Sequence, residues 1–284
     1  MVVTPIVAME AIIVPIDFSF YAESAFQTAL GLASLRRTEI YCVNVVTSDL
    51  DWHDLPLKER KKYREIIDLE EEARDKLSAF IKDRTSHASV TPVVEVGLPA
   101  DVIVSLADKH HAGLIVIGAY GKGHQEGRYI GSNLQKVIRM ARCPVLAVKN
   151  AVKATAWKTM AFAGLFNEES RPAFEKMTPL INLTGAIVHF LYIQTPENIK
   201  NLDKVRQQMQ SYAAGHEGID IRYTIFAYPE PEKGIIQFCE NQDIGWIGIA
   251  TKTRRVSSTY RIGVTETVIF KTDIPVLSVK FESA

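Results

Sequence analysis

Gly118-Ala119-Tyr120-Gly121 is followed, after nine residues, by Gly131-Ser132. The apolar run Gly113-Leu114-Ile115-Val116-Ile117 precedes this stretch, and a helical pattern ending at Cys143-Pro144 follows it. The order is strand, glycine loop, helix N-terminus. Unpaired backbone N–H groups and the positive end of the helix dipole then face one point, which suits an anion, most often a phosphate. The Gly-x4-Gly-Lys-Ser/Thr loop is absent, because Gly121-Lys122-Gly123 lacks the upstream glycine and the hydroxyl. Gly121-x-Gly123-x3-Gly127 has one residue too many for the dinucleotide fingerprint. A surface turn that binds nothing has the same composition.

A second strand, Val14-Pro15-Ile16, ends in Asp17-Phe18-Ser19. The carboxylate there reads either as a ligand contact or as an acid in the first turn of the next helix, favourable to its dipole.

The Gly-x2-Gly-x9-Gly-Ser spacing resembles the ATP-binding motif of the universal stress protein family, and Val14–Ser19 resembles that family's opening strand. The resemblance spans the chain, strongly in the first half and by architecture in the second, and points to the tandem type. It implies a five-stranded parallel sheet of order 3-2-1-4-5. Strands one and four then lie side by side where the winding reverses, the place at which open α/β sheets bind ligands. It further implies that Asp17, beside Pro15 and Ile16, contacts the ribose or the metal-bound phosphates. Val45 would bond the adenine edge through its backbone. Gly118 and Gly121 would let the loop approach the ribose and phosphates, and Gly131, Ser132 and Asn133 would receive the β- and γ-phosphates. The implied cofactor is ATP, ADP or AMP, with Mg²⁺ arriving on the nucleotide. Apart from the resemblance, Lys122 and Arg128 lie in the loop and are expected to add positive charge.

Catalytic signatures are sparse. No Walker-B acid, kinase loop, nucleophile elbow, triad or Cys/His metal cluster stands out. His124 is the nearest candidate for activating water, and an exposed loop histidine is the competing reading. His110 and His111 are adjacent at a helix end, so their side chains diverge and favour the dipole rather than chelation. An ATP-binding regulatory protein is the expected function. A slow ATPase or autophosphorylating enzyme stays open, as does a lipid- or metabolite-binding module in the second half.

Elements of the right kind surround these residues, and they occur twice. In the first half, strands are expected at 11–16, 39–46, 90–96, 114–117 and 145–148, with helices at 19–35, 58–84, 100–110 and 131–141. In the second, strands are expected at 160–163, 186–193, 219–226, 246–249 and 276–279, with helices at 168–182, 199–215, 231–241 and 263–271. Alternating strands and helices predict an α/β fold of parallel sheets covered on both faces. The clearest echo sets Cys143-Pro144-Val145-Leu146-Ala147-Val148 against Ile274-Pro275-Val276-Leu277-Ser278-Val279. Two Rossmann-like domains are expected, 1–150 and 151–284, in preference to one continuous ten-stranded sheet. Pairing of 145–148 with 276–279 would satisfy both last strands within the chain, and homodimerisation is left open.

The copies differ where chemistry is expected. Leu165 takes the place of Asp17, and the glycine loop becomes Gly248-Ile249-Ala250-Thr251, then eleven residues, then Gly263-Val264. A Cβ where backbone must approach phosphate is a steric cost, so 151–284 is expected not to bind ATP in the family's way. Lys252, Arg254, Arg255 and Arg261 read as a solvated basic loop or an alternative anion site.

The composition sets outer limits. Thirty-three basic against 33 acidic residues give no net charge, which argues against a nucleic-acid or anionic-membrane footprint. No apolar run approaches the roughly 20 residues that span a bilayer. Residues 1–10 lack the marks of a secretory signal. The three cysteines, Cys42, Cys143 and Cys239, are expected to be reduced thiols in a cytoplasmic protein.

Overall fold

Every second residue of the first strand faces the same layer. Ile12 and Val14 join one core and Ile13 the other, all fully buried. A strand apolar on both sides must be covered on both sides, and that dictates helices above and below the sheet. A computed structural model shows this layout; it describes residues 11–82, 84, 88–123, 129–198, 201–252 and 263–281.

The strands are β1 (Ala11–Pro15), β2 (Glu39–Thr47), β3 (Val90–Gly97), β4 (Leu114–Gly118), β5 (Val145–Val148), β6 (Thr159–Ala163), β7 (Ile187–Gln194), β8 (Ile221–Ala227), β9 (Trp246–Lys252) and β10 (Val276–Phe281). The helices are α1 (Phe20–Leu35), α2 (Leu57–Arg60), α3 (Arg64–Lys82), α4 (Pro99–Lys109), α5 (Ser132–Met140), α6 (Arg171–Thr184), α7 (Leu202–Ala213), α8 (Pro231–Asn241) and α9 (Val264–Lys271). Helices α1, α3, α6 and α7 bury their apolar stripes on one face of the sheet, and α4, α5, α8 and α9 on the other. No helix among the described residues is long and apolar enough to cross a membrane.

The strand order is β3-β2-β1-β4-β5-β10-β9-β6-β7-β8. Each half has the order 3-2-1-4-5, and within each half neighbours run parallel. The halves meet edge to edge, with β10 antiparallel to β5 through Leu277 and Leu146. Two repeated units and one unbroken ten-stranded ladder therefore coexist; the choice posed from sequence between them dissolves, because the last strand of each unit had an open edge to share.

Both halves turn after their first strand through a phenylalanine in the left-handed region, Phe18 (φ 63°) and Phe166 (φ 55°). A bulky residue rarely adopts this conformation. Each ring is fixed by packing, Phe18 against Phe80 at 6.1 Å and Phe166 against Phe190 at 4.9 Å. Ser19 caps α1, its hydroxyl accepting from Ala22 N at 3.2 Å. The long helix expected over 58–84 is broken. The chain turns between α2 and α3 so that Arg60 and Tyr63 both reach the buried Trp52, at 5.6 and 6.3 Å from its ring.

Candidate functional site

Strand β1 stops at Pro15 while β2 runs on to Thr47, so the sheet has a notch above β1. The Ile16 N–H donates to Val43 O at 2.8 Å and closes the ladder. Asn44 then fixes the exit, its amide nitrogen donating to Ile16 O at 2.6 Å. An Asn set between two valines of a buried strand was the sequence signal for this role, and it was missed.

Beyond the notch Asp17 bridges two chain segments. Its Oδ1 accepts from Ser19 N at 3.0 Å and its Oδ2 from Lys122 N at 2.7 Å. The carboxylate thus ties the end of β1 to the glycine loop after β4. Lys122 enters this arrangement by its main chain. Arg128 and His124, like Arg254, Arg255 and Arg261, lie outside the described residues.

The glycines are needed for close approach. A Cβ on Gly118 would lie 2.8 Å from backbone and Cβ atoms of Tyr21, and one on Gly121 would lie 3.0 Å from Asp17 Oδ2. Hydrogen bonds from Gly131 N to Ala119 O (3.0 Å) and from Ala119 N to Val148 O (2.8 Å) pin the two ends of the loop together. Gly131 is the N-cap of α5. It has no side chain to cap the helix, and no acid lies in the first turn. The first amides of α5 have no partner within the helix, as at any helix start, and among the described residues no side chain accepts from them.

These parts enclose a cavity of about 490 Å³. Pro15, Ile16, Asp17, Val45, Gly118, Gly121, Gly131, Ser132 and Asn133 all line it. Val43, Pro99, Ile103 and Ile117 give it apolar lining, and Tyr120 and Tyr129 line it as well. Those wall residues were not read from sequence, because which face of β2 and α4 meets the notch depends on the fold. Burial pushes the Tyr120 phenol up, with Tyr21 and Asp273 adding to it.

The second half is built differently at the same place. Ile12 pairs with Leu114 and Met160 with Trp246, so Gly118 corresponds to Ala250 and Ala119 to Thr251. The sequence comparison that set Gly248 against Gly118 is corrected by this register. Gly248 lies inside β9, where a Cβ would run into the Met160 methyl and the Met177 sulfur, so it serves packing. Thr251 Oγ1 shares hydrogen bonds with Thr265 and Ser278 hydroxyls at 2.8 Å each. The N-terminus of α9 is already occupied by a carboxylate. Buried Glu266 accepts from Gly263 N at 2.8 Å through Oε2, and its Oε1 pairs with Arg139 of α5 at 3.1 Å. Gly263-Val264-Thr265-Glu266 carries an acid at the third helical position, a signal that could have been read as a capping pattern. Leu165, at the place of Asp17, is 55% exposed.

Among the described residues no group of three or more His, Cys, Asp or Glu could hold a metal ion.

Comparison with known proteins bears on the family and the fold. A model of the universal stress protein family matches residues 9–149. A universal stress protein of Methanocaldococcus jannaschii is 33% identical over 144 residues, 50% of this chain and 83% of the relative. The chain belongs to the universal stress protein family. A second universal stress protein from that archaeon is 26% identical over 156 residues, 50% of this chain and 96% of its own. The crystal structure of a universal stress protein from Archaeoglobus fulgidus superposes with a TM-score of 0.72 at 18% identity, covering 96% of this chain and 98% of the other, which extends the shared fold to both halves. This universal stress protein is therefore of the tandem type.

Proposed function

We propose that the first half binds one adenine nucleotide and that the protein acts as a nucleotide-dependent regulator in the stress response. The observation that carries this reading is the cavity of about 490 Å³ at the switch point, walled by a glycine loop and by an α5 N-terminus without a resident acid. Phosphates fit there because backbone amides and the helix dipole supply positive potential without side-chain bulk. Val43 O already takes the Ile16 N–H, and strand alternation turns the Val45 N–H and C=O to the same side, past the end of β1. An adjacent donor and acceptor complement the N1 and amino edge of adenine, and Pro99, Ile103 and Ile117 offer its faces an apolar slot. Mg²⁺ would be held chiefly by phosphate oxygens and water, as it favours.

Binding rather than turnover is supported by the use of Asp17. It is the one carboxylate among the described residues lining the cavity, and each of its oxygens accepts a backbone N–H. Both oxygens are thereby engaged in tying the end of β1 to the glycine loop.

Thermal melting with Mg-ATP and Mg-GTP tests the reading. At about 100 times the dissociation constant, bound ATP adds about 2.7 kcal/mol and raises the melting temperature by several degrees. GTP, whose base edge reverses donor and acceptor, gives a smaller rise. An unchanged melting temperature at millimolar Mg-ATP contradicts the reading.

A further inference from the structure

Tyr120 and Tyr129 stand near the two ends of the glycine loop, and both line the cavity. The second half reaches Tyr129 directly and Tyr120 through Lys149. The Tyr129 ring packs on Phe270 of α9 with centroids 5.0 Å apart at 36°, and its hydroxyl lies 3.3 Å from Thr267 Oγ1. On the other side, the Lys149 ammonium lies 5.7 Å from the Tyr120 ring centroid. That ammonium donates to the Phe270 carbonyl at 2.8 Å and pairs with Asp273 at 3.5 Å. A cation at the carboxyl end of a helix is favoured by the dipole, and the Lys149 side chain is only 14% exposed. Phe270 thus reaches both ends of the loop, one through its ring and one through its carbonyl.

We propose that the last turn of α9 is a positioning element for the first-half site: Phe270 braces Tyr129 directly and Tyr120 through Lys149. Neither Phe270, Thr267 nor Lys149 lines the cavity. They act by fixing the walls, not by touching a ligand. The half whose own cradle is filled would then be retained because the other half's loop leans on it. The affinity part of this inference rests on the nucleotide reading above; the loop-ordering part does not.

The test uses the full chain and the variants Phe270→Ala, Phe270→Tyr and Lys149→Met. Val205→Ala, in α7 on the opposite face of the sheet, controls for a general loss of stability. Amide hydrogen exchange over 118–123 and 129–134 is measured without ligand, and Mg-ATP affinity by calorimetry. Phe270→Ala and Lys149→Met are expected to speed exchange in those stretches and to weaken Mg-ATP by about tenfold, about 1.4 kcal/mol. Phe270→Tyr keeps the ring and restores both, and Val205→Ala lowers the melting temperature while moving neither. Should Phe270→Ala lower the melting temperature yet leave exchange and affinity at the parental values, the brace is refuted. A parent protein that binds no Mg-ATP, but whose loop exchange still rises in Phe270→Ala, refutes the nucleotide reading and upholds the brace.

Discussion

Asp17 Oδ2 accepts the main-chain N–H of Lys122 at 2.7 Å across 105 residues of sequence. One acid at the end of β1 thereby sets where the loop after β4 begins. Asp17→Ala removes acceptors for two amides, Ser19 N and Lys122 N. It is expected to cost about 1–2 kcal/mol in urea denaturation and to abolish the Mg-ATP melting shift. Asp17→Asn keeps one acceptor oxygen and should lose about half as much stability. Parental stability in Asp17→Ala would show that the bridge does not hold in solution.

Gly118 and Gly131 should respond differently to alanine. A Cβ at 118 meets the Tyr21 backbone at 2.8 Å, whereas at 131 its nearest neighbour is Ala119 O at 3.6 Å. Gly118→Ala must push α1 away from β4 and is expected to cost about 1–3 kcal/mol. Gly131→Ala should melt close to the parent. Equal losses in the two variants would contradict this reading of the loop.

Glu266 offers a third test. Its carboxylate holds both the Gly263 amide and Arg139. Glu266→Ala takes the acceptor from the part-buried Gly263 N–H and one carboxylate from Arg139, a loss of about 1–3 kcal/mol in denaturant. Glu266→Gln retains an oxygen for Gly263 and should lose less. Wild-type stability in both variants would mean that the α9 N-terminus is satisfied by other means.

Stability should have a plateau bounded on both sides of neutrality. Burial pushes the Cys42 and Cys239 thiols from 9.0 up to about 12, and Cys143 up to about 11. The folded chain keeps these protons after the unfolded chain has released them, so stability present below pH 9 is lost as pH rises toward 11–12. Each thiol contributes a slope of about 1.4 kcal/mol per pH unit in that window. On the acid side, burial lowers the pKa values of His189 and His216 from 6.5. The unfolded chain then takes up more protons, and stability falls as pH drops below 6.5. Melting curves from pH 5 to 11 check both limbs, and Cys42→Ala should make the alkaline limb shallower by up to about 1.4 kcal/mol per pH unit.

Much of this was legible because it is written in short range. Apolar runs bounded by Gly, Pro and polar residues located all ten strands, and the repeated Pro-Val-Leu blocks at 144–146 and 275–277 marked the duplication. Gly118, Gly121 and Gly131 were visible by their spacing, and Asp17 by its place at a strand end. What could not be read depends on register or on packing across the fold. The correspondence of Gly118 with Ala250 follows from strand pairing, and Gly248 misled because a glycine under two methionines has the same letter as one beside a ligand. The left-handed Phe18 and Phe166 break local preference and persist because the Phe166 ring is packed in the core and the Phe18 ring against it. The break between α2 and α3 answers to Trp52, a residue outside either helix.

Isothermal titration of the full chain with Mg-ATP, beside Gly131→Trp and Val264→Trp, bears most directly on the asymmetry between the halves. Gly131 caps α5 beside the cavity, and Val264 opens α9 at the filled cradle. One nucleotide per chain is expected for the parent and for Val264→Trp, and none for Gly131→Trp. No binding by the parent, two nucleotides per chain, or loss of binding in Val264→Trp with retention in Gly131→Trp would contradict a nucleotide site in the first half alone.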